Sequence, residues 1–175
     1  MTIGHYASAV TSSAVMELLR PFDPHIVGTL PLGLAVSGRD VDIVCHALDP
    51  NAFADIVWSH YQSADDFVLY RWTSGTRPAI ARFVWDGWPF ELFGDQLPVR
   101  QQRGWIHFEV ERRLLALDDG RLRRAVSELR ADGLKTEPAF AAALGIPGDP
   151  YPGLLELAAE TDAALRARLA ACGLG

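Results

Sequence analysis

Apolar residues recur with two different periods along this chain, and the change between them falls near residue 94. Over residues 6–20, Tyr6, Val10, Ala14 and Leu18 stand four apart, which predicts an amphipathic helix ending before Pro21. Residues 25–30 predict a first strand, broken at Pro31-Leu32-Gly33. Residues 40–46 predict a second, in which Val41, Ile43 and Cys45 share one face and turn it to a core. Asp49-Pro50 is a helix start, a capping oxygen followed by proline at the first helical position. Phe53, Ile56, Val57 and His60 then form one stripe, with His60 at its boundary. Residues 67–73 and 79–85 read as strands. Asp86-Gly87 between Trp85 and Trp88 is the signal of a two-residue hairpin turn, whose return strand spans about 88–93.

Beyond Gly94 the alternation stops. From about Trp105 the spacing is helical to the end of the sequence. Phe108 and Leu114, Leu115 and Leu117 share one predicted helix, and Asp119 is placed to cap the next, with Leu122, Val126 and Leu129 inward. Thr136 with Pro138 starts a short helix through Leu144, and 154–171 predicts a last one carrying Leu157, Leu165 and Leu169. Strands and helices in the first half, then helices alone, predict an α+β architecture: a mixed β-sheet with helices packed on it, followed by a small C-terminal helical region. The expected division is 1–97 for a catalytic core and 98–175 for a helical region packed on it.

Composition narrows this picture only slightly. The chain has 175 residues, 49% of them hydrophobic and 22% charged, as in an ordinary globular protein. No apolar run approaches the ~20 residues of a membrane span. Residues 1–11 lack the basic segment and apolar core of a secretory signal. Cys45 and Cys172 stand too far apart for a metal-ligand motif and read as reduced thiols, so the expectation is a cytoplasmic protein with no membrane partner. A net charge of −6 argues against a large phosphate-backbone footprint, which makes nucleic acid a disfavoured partner without removing it.

The stretch with chemistry in it is Val27-Gly28-Thr29, then Gly33, then Arg39-Asp40-Val41-Asp42-Ile43-Val44. Asp40 and Asp42 share one face of a strand, where two carboxylates repel each other unless a cation sits between them; hard oxygen ligands of this kind suit Mg²⁺. Gly28 and Thr29 lack bulk, which lets backbone N–H groups approach an anion. Two solvent-facing aspartates ahead of a turn are the plain alternative for an Asp-x-Asp met alone. The Gly-Thr pair ahead of it, and a later apolar-acid-apolar strand at Phe90-Glu91-Leu92, favour the metal reading.

This arrangement resembles the signature of the nucleotidyltransferase superfamily, to which polymerase β and kanamycin nucleotidyltransferase belong. Gly28-Thr29 stands at the family's Gly-Ser position, with Thr a mild departure, and Arg39 stands where many members have Ser. The resemblance implies a third acid on a later strand, for which Glu91 is the candidate. A narrower likeness, to a bacterial family of unknown function, runs from about Ile26 to Leu157. It rests on Gly28-Thr29-Leu30-Pro31-Leu32-Gly33, Asp40-Val41-Asp42-Ile43-Val44-Cys45, Phe90-Glu91-Leu92-Phe93-Gly94, Lys135-Thr136-Glu137-Pro138-Ala139-Phe140-Ala141 and Gly148-Asp149-Pro150-Tyr151.

The chemistry these groups can run is in-line displacement at the α-phosphate of a nucleoside triphosphate, with ATP the expected nucleotide and two Mg²⁺ ions expected. Asp40, Asp42 and Glu91 are the expected metal-binding and catalytic residues, Glu91 being also a possible proton acceptor from the attacking hydroxyl. Gly28, Thr29 and Lys135 are the expected nucleotide-binding residues. Lys135 enters because it precedes a helix start, where N–H groups and the dipole favour anions; a surface lysine in a loop is the equal alternative. His107 and Glu111, four apart on one helix, read first as a structural pair and second as a wall of a polar cleft. The leading expectation is transfer of a nucleoside monophosphate to a hydroxyl of a small molecule. The alternatives are transfer to a macromolecule such as tRNA or a protein, as in toxin–antitoxin systems, and a non-catalytic nucleotide-binding protein of the same fold.

Overall fold

The computed structural model describes residues 4–34 and 40–174. Among these, the residues through Gly33 and from Asp40 to Trp105 form one compact unit, and Leu34 with Ile106 to Leu174 forms another.

The first unit is built on five strands in the order β1-β2-β5-β4-β3. These are β1 (His25–Val27), β2 (Val41–His46), β3 (Asp65–Arg71), β4 (Ala79–Trp85) and β5 (Trp88–Asp95). β2 runs parallel to β5 and every other pair is antiparallel, so the sheet is mixed, as the alternation predicts. The β4–β5 hairpin closes through Asp86 and Gly87, both at positive φ (48° and 75°), the geometry that matches the twist of the flanking strands.

One face of this sheet is the core. It carries Val41, Ile43 and Cys45, then Phe90 and Leu92, then Ala79, Ala81 and Phe83, all buried. Helix α4 (Pro50–Tyr61; the shorter α1–α3 come before it in sequence) packs onto it. Asp49 caps this helix by accepting from Asn51 N at 2.9 Å, as its Asp-Pro start predicts. Its buried stripe is Phe53, Val57 and Tyr61, with His60 exposed beside it. Tyr61 stacks on Phe83 at 4.4 Å between ring centroids, and Phe83 on Phe90 at 5.1 Å. Phe53 lies so close to Gly94 that a Cβ there would stand 2.7 Å from its ring.

The N-terminal helix is not continuous. α1 (Gly4–Ser12) stops and α2 (Val15–Leu18) restarts after Ala14, which sits at φ 53°. Thr11, Ser12 and Ser13 each donate a side-chain hydroxyl to a carbonyl three or four residues back. Such bonds compete with the helical ladder. Tyr61 Oη takes the freed Ser13 carbonyl at 2.9 Å, so the break is anchored by the core. The first strand likewise ends earlier than its apolar run. β1 stops at Val27, Gly28 turns the chain (φ 75°, ψ −156°), and Thr29–Leu32 forms a single helical turn, α3, closed by Gly33 at φ 69°.

The second unit contains, among the described residues, helices and no strand. Helix α5 (Arg103–Leu117) begins in the first unit and continues into the second. α6 (Arg121–Ala131), α7 (Thr136–Ala143), α8 (Pro150–Glu156) and α9 (Asp162–Ala171) follow, with Leu122, Val126, Phe140, Leu154, Leu165 and Leu169 buried. The helix expected over 154–171 is two. Asp149 caps α8 through Tyr151 N, and the chain then opens at Glu160-Thr161, where Thr161 Oγ1 accepts from Ala164 N to start α9. Arg113 holds the break by donating to Glu160 O at 2.8 Å and pairing with Asp162. Asp119 accepts from Arg121 N, but the residue at the cap position of α6 is Gly120 at φ 104°, and Asp118 accepts from Leu122 N and Arg123 N. Thr136 is the first residue of α7, as expected, and its hydroxyl meets Arg130 Nη1.

Candidate functional site

The face of the sheet opposite α4 has two rows. Val44, Phe93 and Ile80 form an apolar row, against which the first turn of α5 lies: a Cβ on Gly104 would touch Val44 at 3.6 Å. At the end of that row the His25 ring meets Trp105 edge-on, 4.9 Å between centroids, and Arg100 lies 5.9 Å from the Trp105 ring.

The other row is charged. Asp42 is directly opposite Glu91 across the parallel β2–β5 pair, and Glu91 is directly opposite Arg82 across the antiparallel β4–β5 pair. Partners in register point to the same face, so Arg82, Glu91 and Asp42 stand side by side on three adjacent strands. On the far side of Asp42 lies Val27, and with it the turn at Gly28. A Cβ on Gly28 would stand 2.3 Å from Asp42 Oδ2, so the backbone approaches the carboxylate as closely as only glycine permits. Thr29 follows as the first residue of α3.

Asp40 precedes β2 and lies exposed at the rim. Burial of its carboxyl and then the charge of Glu91 push its pKa up, and Arg82 partly offsets this. Asp40, Glu91 and Arg82 therefore feel one another's charge. Arg82 Nε donates to Glu91 Oε2 at 2.5 Å. The Arg82 side chain is 58% exposed, and an ion pair this open contributes only about 0–1 kcal/mol to folding. Its weight is in the charge of the site, not in the stability of the sheet.

Three carboxylates on one face of a sheet, with Asp40 pushed up by burial and then by Glu91, are hard donors of the kind a divalent cation takes. The donors fit Mg²⁺ in kind. In their present arrangement the Glu91 carboxylate belongs to Arg82, and no three His, Cys, Asp or Glu side chains among the described residues form a group that could hold a metal. A cation bound by Asp40, Asp42 and Glu91 would share the Glu91 carboxylate with Arg82 or take it.

Lys135 is in the second unit, exposed at the cap position of α7 with no side-chain cap bond. Arg39 lies outside the described residues. His107 and Glu111 are both buried on α5, His107 with its ring edge-on to Tyr151. Burial first, then the charge of Glu137, raises the Glu111 pKa well above the carboxylate range, against the pull of Arg130. Its Oε1 accepts no hydrogen bond. The residue the sequence reading passed over is Arg82. Its signal was there to be counted: from a two-residue Asp86-Gly87 turn, the strand position opposite Glu91 is Arg82.

The family model described as Domain of unknown function (DUF4269) matches residues 8–157, most of the chain. The chain belongs to this family. No curated protein matches its sequence. Among solved structures, this DUF4269 chain is similar to the GLD-2/RNP-8 complex, with TM-score 0.57 and 12% identity over 81% of this chain and 57% of that one. It is also similar to the Cid1 poly(U) polymerase with MgGTP bound, with TM-score 0.55 and 13% identity over 73% and 41%. The polymerase core of TRAMP, an RNA surveillance complex, gives TM-score 0.50 and 17% identity over 89% and 56%. At these identities the likeness shows the fold, and the fold is that of the nucleotidyltransferases, as the motif resemblance implies. The chain spans roughly half the length of the proteins it resembles. Among the described residues no helix is long and apolar enough to cross a membrane.

Proposed function

We propose that this protein is a Mg²⁺-dependent nucleotidyltransferase that moves a nucleoside monophosphate from a nucleoside triphosphate, with ATP the leading candidate, to a hydroxyl of a small molecule. The observation that carries this reading is the row formed by Asp42 and Glu91 in register, with the Gly28 backbone closed against Asp42.

In this reading the acceptor oxygen bonds to the α-phosphorus, the bond between the α-phosphorus and its β-bridging oxygen breaks, and pyrophosphate leaves with that electron pair. Bound Mg²⁺ would supply charge neutralisation on pyrophosphate and a lower pKa for the attacking hydroxyl. Asp40, Asp42 and Glu91 would hold it. A carboxylate of the row, with Glu91 the candidate, would take the hydroxyl proton. Gly28 and Thr29 would admit the triphosphate to the edge of the row, because nothing larger than a hydrogen stands on the Gly28 Cα. Lys135, exposed at the start of α7, would be a positive charge available to a nucleotide.

A second reading, transfer to RNA, is favoured by one observation: the solved structures similar to this chain include a poly(U) polymerase and the core of an RNA surveillance complex. Against it stands the net charge of −6, which leaves little basic surface for a phosphate backbone.

The test is nucleotide affinity, measured for the four triphosphates with and without Mg²⁺, on the wild type and on Asp42→Asn. The substitution keeps the shape and removes a charge. Mg²⁺-dependent binding by the wild type, lost in the variant with the fold intact, supports the reading. Equal binding by both proteins with no response to metal would reduce the assignment to a shared fold without the shared chemistry. Adding short RNA or small polyols as acceptors to the wild type then separates the two readings by which one consumes the triphosphate.

A further inference from the structure

Arg82 has no place in the reaction as described above, yet its Nε donates to Glu91 Oε2 on the carboxylate face. It sits at the end of the row, opposite Glu91, with more than half of its side chain open to solvent. The carboxylate it takes, by contrast, is 30% exposed and lies between two other strands. A flexible, solvated guanidinium thus holds a fixed, half-buried acid. The Glu91 oxygen that faces Arg82, Oε2, is on the carboxylate that a divalent cation held with Asp40 and Asp42 would share.

We propose that Arg82 is an internal counter-ion that occupies Glu91 until a divalent cation displaces it, so that metal loading of the face is an exchange of Arg82 for metal. This rests on the metal-site reading given above. The physical case has two parts. Carboxylates gathered on one edge repel one another, and without a nearby positive charge the face would be strained in its metal-free state. Arg82 supplies that charge. It does so from a mobile stem on an exposed strand position, so it can leave without moving the backbone, whereas Asp42 and Glu91 are fixed by strand register. Arg82 is accordingly a positioning residue: it sets how readily Glu91 becomes a ligand and does not touch the reacting atoms.

Exchange differs from simple repulsion at a distance in one measurable way. If Arg82 lowers metal affinity by occupying Glu91, its effect must vanish when Glu91 can no longer be contested. If it acts only as a nearby positive charge, its effect persists. The experiment is a titration of Mn²⁺, followed by electron paramagnetic resonance of the free ion, with Mg²⁺ by calorimetry as the second measurement. The proteins are the wild type, Arg82→Met, Arg82→Lys, Glu91→Gln, the Arg82→Met/Glu91→Gln double variant, and Asp42→Asn. Arg82→Met retains the apolar stem at an exposed position, and circular dichroism checks its fold. Arg82→Lys retains the charge.

The expected result is that Arg82→Met binds Mn²⁺ about tenfold more tightly than the wild type, that Arg82→Lys falls between them, and that Arg82→Met changes nothing in the Glu91→Gln background. An equal gain in both backgrounds overturns the exchange in favour of distant repulsion. No gain in Arg82→Met, while the wild type binds Mn²⁺ and Asp42→Asn does not, overturns the exchange and leaves the metal site standing. Absence of binding in all six proteins takes down the metal site and the exchange with it.

Discussion

The two units place their carboxylates differently. On the sheet, Asp42 and Glu91 stand half-buried on one face with Asp40 at its rim, with a glycine backbone on one side and an arginine on the other. In the helical unit, Glu111 is 2% exposed, and burial followed by the charge of Glu137 holds it toward its neutral form despite Arg130. A carboxylate left partly in solvent beside a cation can exchange partners. Burial without a full set of hydrogen bonds favours the acid. The contrast teaches where to look for metal chemistry in this chain: at acids that stand together on one face beside a counter-ion, not at the acid buried deepest.

The comparison breaks most severely at Asp42. Altering a residue that merely orients a ligand costs about 10–100-fold in metal affinity, so removing a ligand outright in Asp42→Asn should cost more than ~100-fold. Calorimetric titration of Mg²⁺ measures it, and a loss under tenfold would mean the sheet acids are no more a metal site than Glu111 is.

Gly28→Ala attacks the same face through the backbone. The position sits at φ 75° and ψ −156°, where other residues are strained by roughly 1–3 kcal/mol, and its new methyl would meet Asp42 Oδ2. The expected outcome is a lowered melting temperature together with weakened nucleotide binding. Gly94→Ala, on the core face, is the control. Its methyl would meet the Phe53 ring and cost about 1–3 kcal/mol by overpacking, with metal affinity per folded molecule unchanged. Thermal denaturation alongside Mn²⁺ titration separates the two.

In the helical unit the pH dependence of stability reads the buried acid. A raised folded-state pKa means that the acid form of Glu111 is the one the fold prefers. Its contribution is therefore full below the ordinary carboxylate pKa of 4.5 and is lost as pH rises through the raised value. Glu111→Gln mimics the acid form at every pH. Melting temperature should rise at neutral pH by roughly 2–4 °C for each 1 kcal/mol recovered, and should no longer fall as pH is raised through that range. A variant that melts lower than the wild type at pH 8 would show that the charged form is the one held.

The smallest effect belongs to Lys135→Met. An exposed lysine supplying a single charge to a triphosphate should be worth a few-fold in nucleotide affinity, with metal affinity and melting temperature unchanged. Fluorescence titration with a labelled nucleotide at low and high salt reads it, since a screened charge loses its advantage at high salt. No difference at low salt would leave Lys135 as a surface residue.

Much of this was legible from local pattern. The Asp49-Pro50 helix start, the Asp86-Gly87 hairpin and the i, i+2 placement of Asp40 and Asp42 each depend on residues within a few positions of one another, so their spacing was enough. Even the opposition of Arg82 and Glu91 follows by counting back from the turn. The misread elements had local competitors of the expected geometry. Hydroxyls at Thr11, Ser12 and Ser13 broke the first helix, Gly28 ended β1 early, and Thr161 divided the last helix. Each competitor was visible in the sequence, but its outcome depended on partners such as Tyr61 and Arg113, which lie 48 and 47 residues away in the respective bonds.

What the sequence by itself determined is therefore the composition of the site and the alternation of faces. What only the tertiary structure decided is register. Asp42 and Glu91 come from strands joined through two other strands and a helix, and no local signal says which residue of β5 lies beside Asp42. A slip of one residue would have turned Glu91 into the core and Phe90 outward, onto the charged face. The packing that forbids this slip is the Phe53–Gly94 contact and the Phe83–Phe90 stack on the opposite face. Thus the apolar side of the sheet, filled by residues with no chemistry of their own, sets which acids meet on the other.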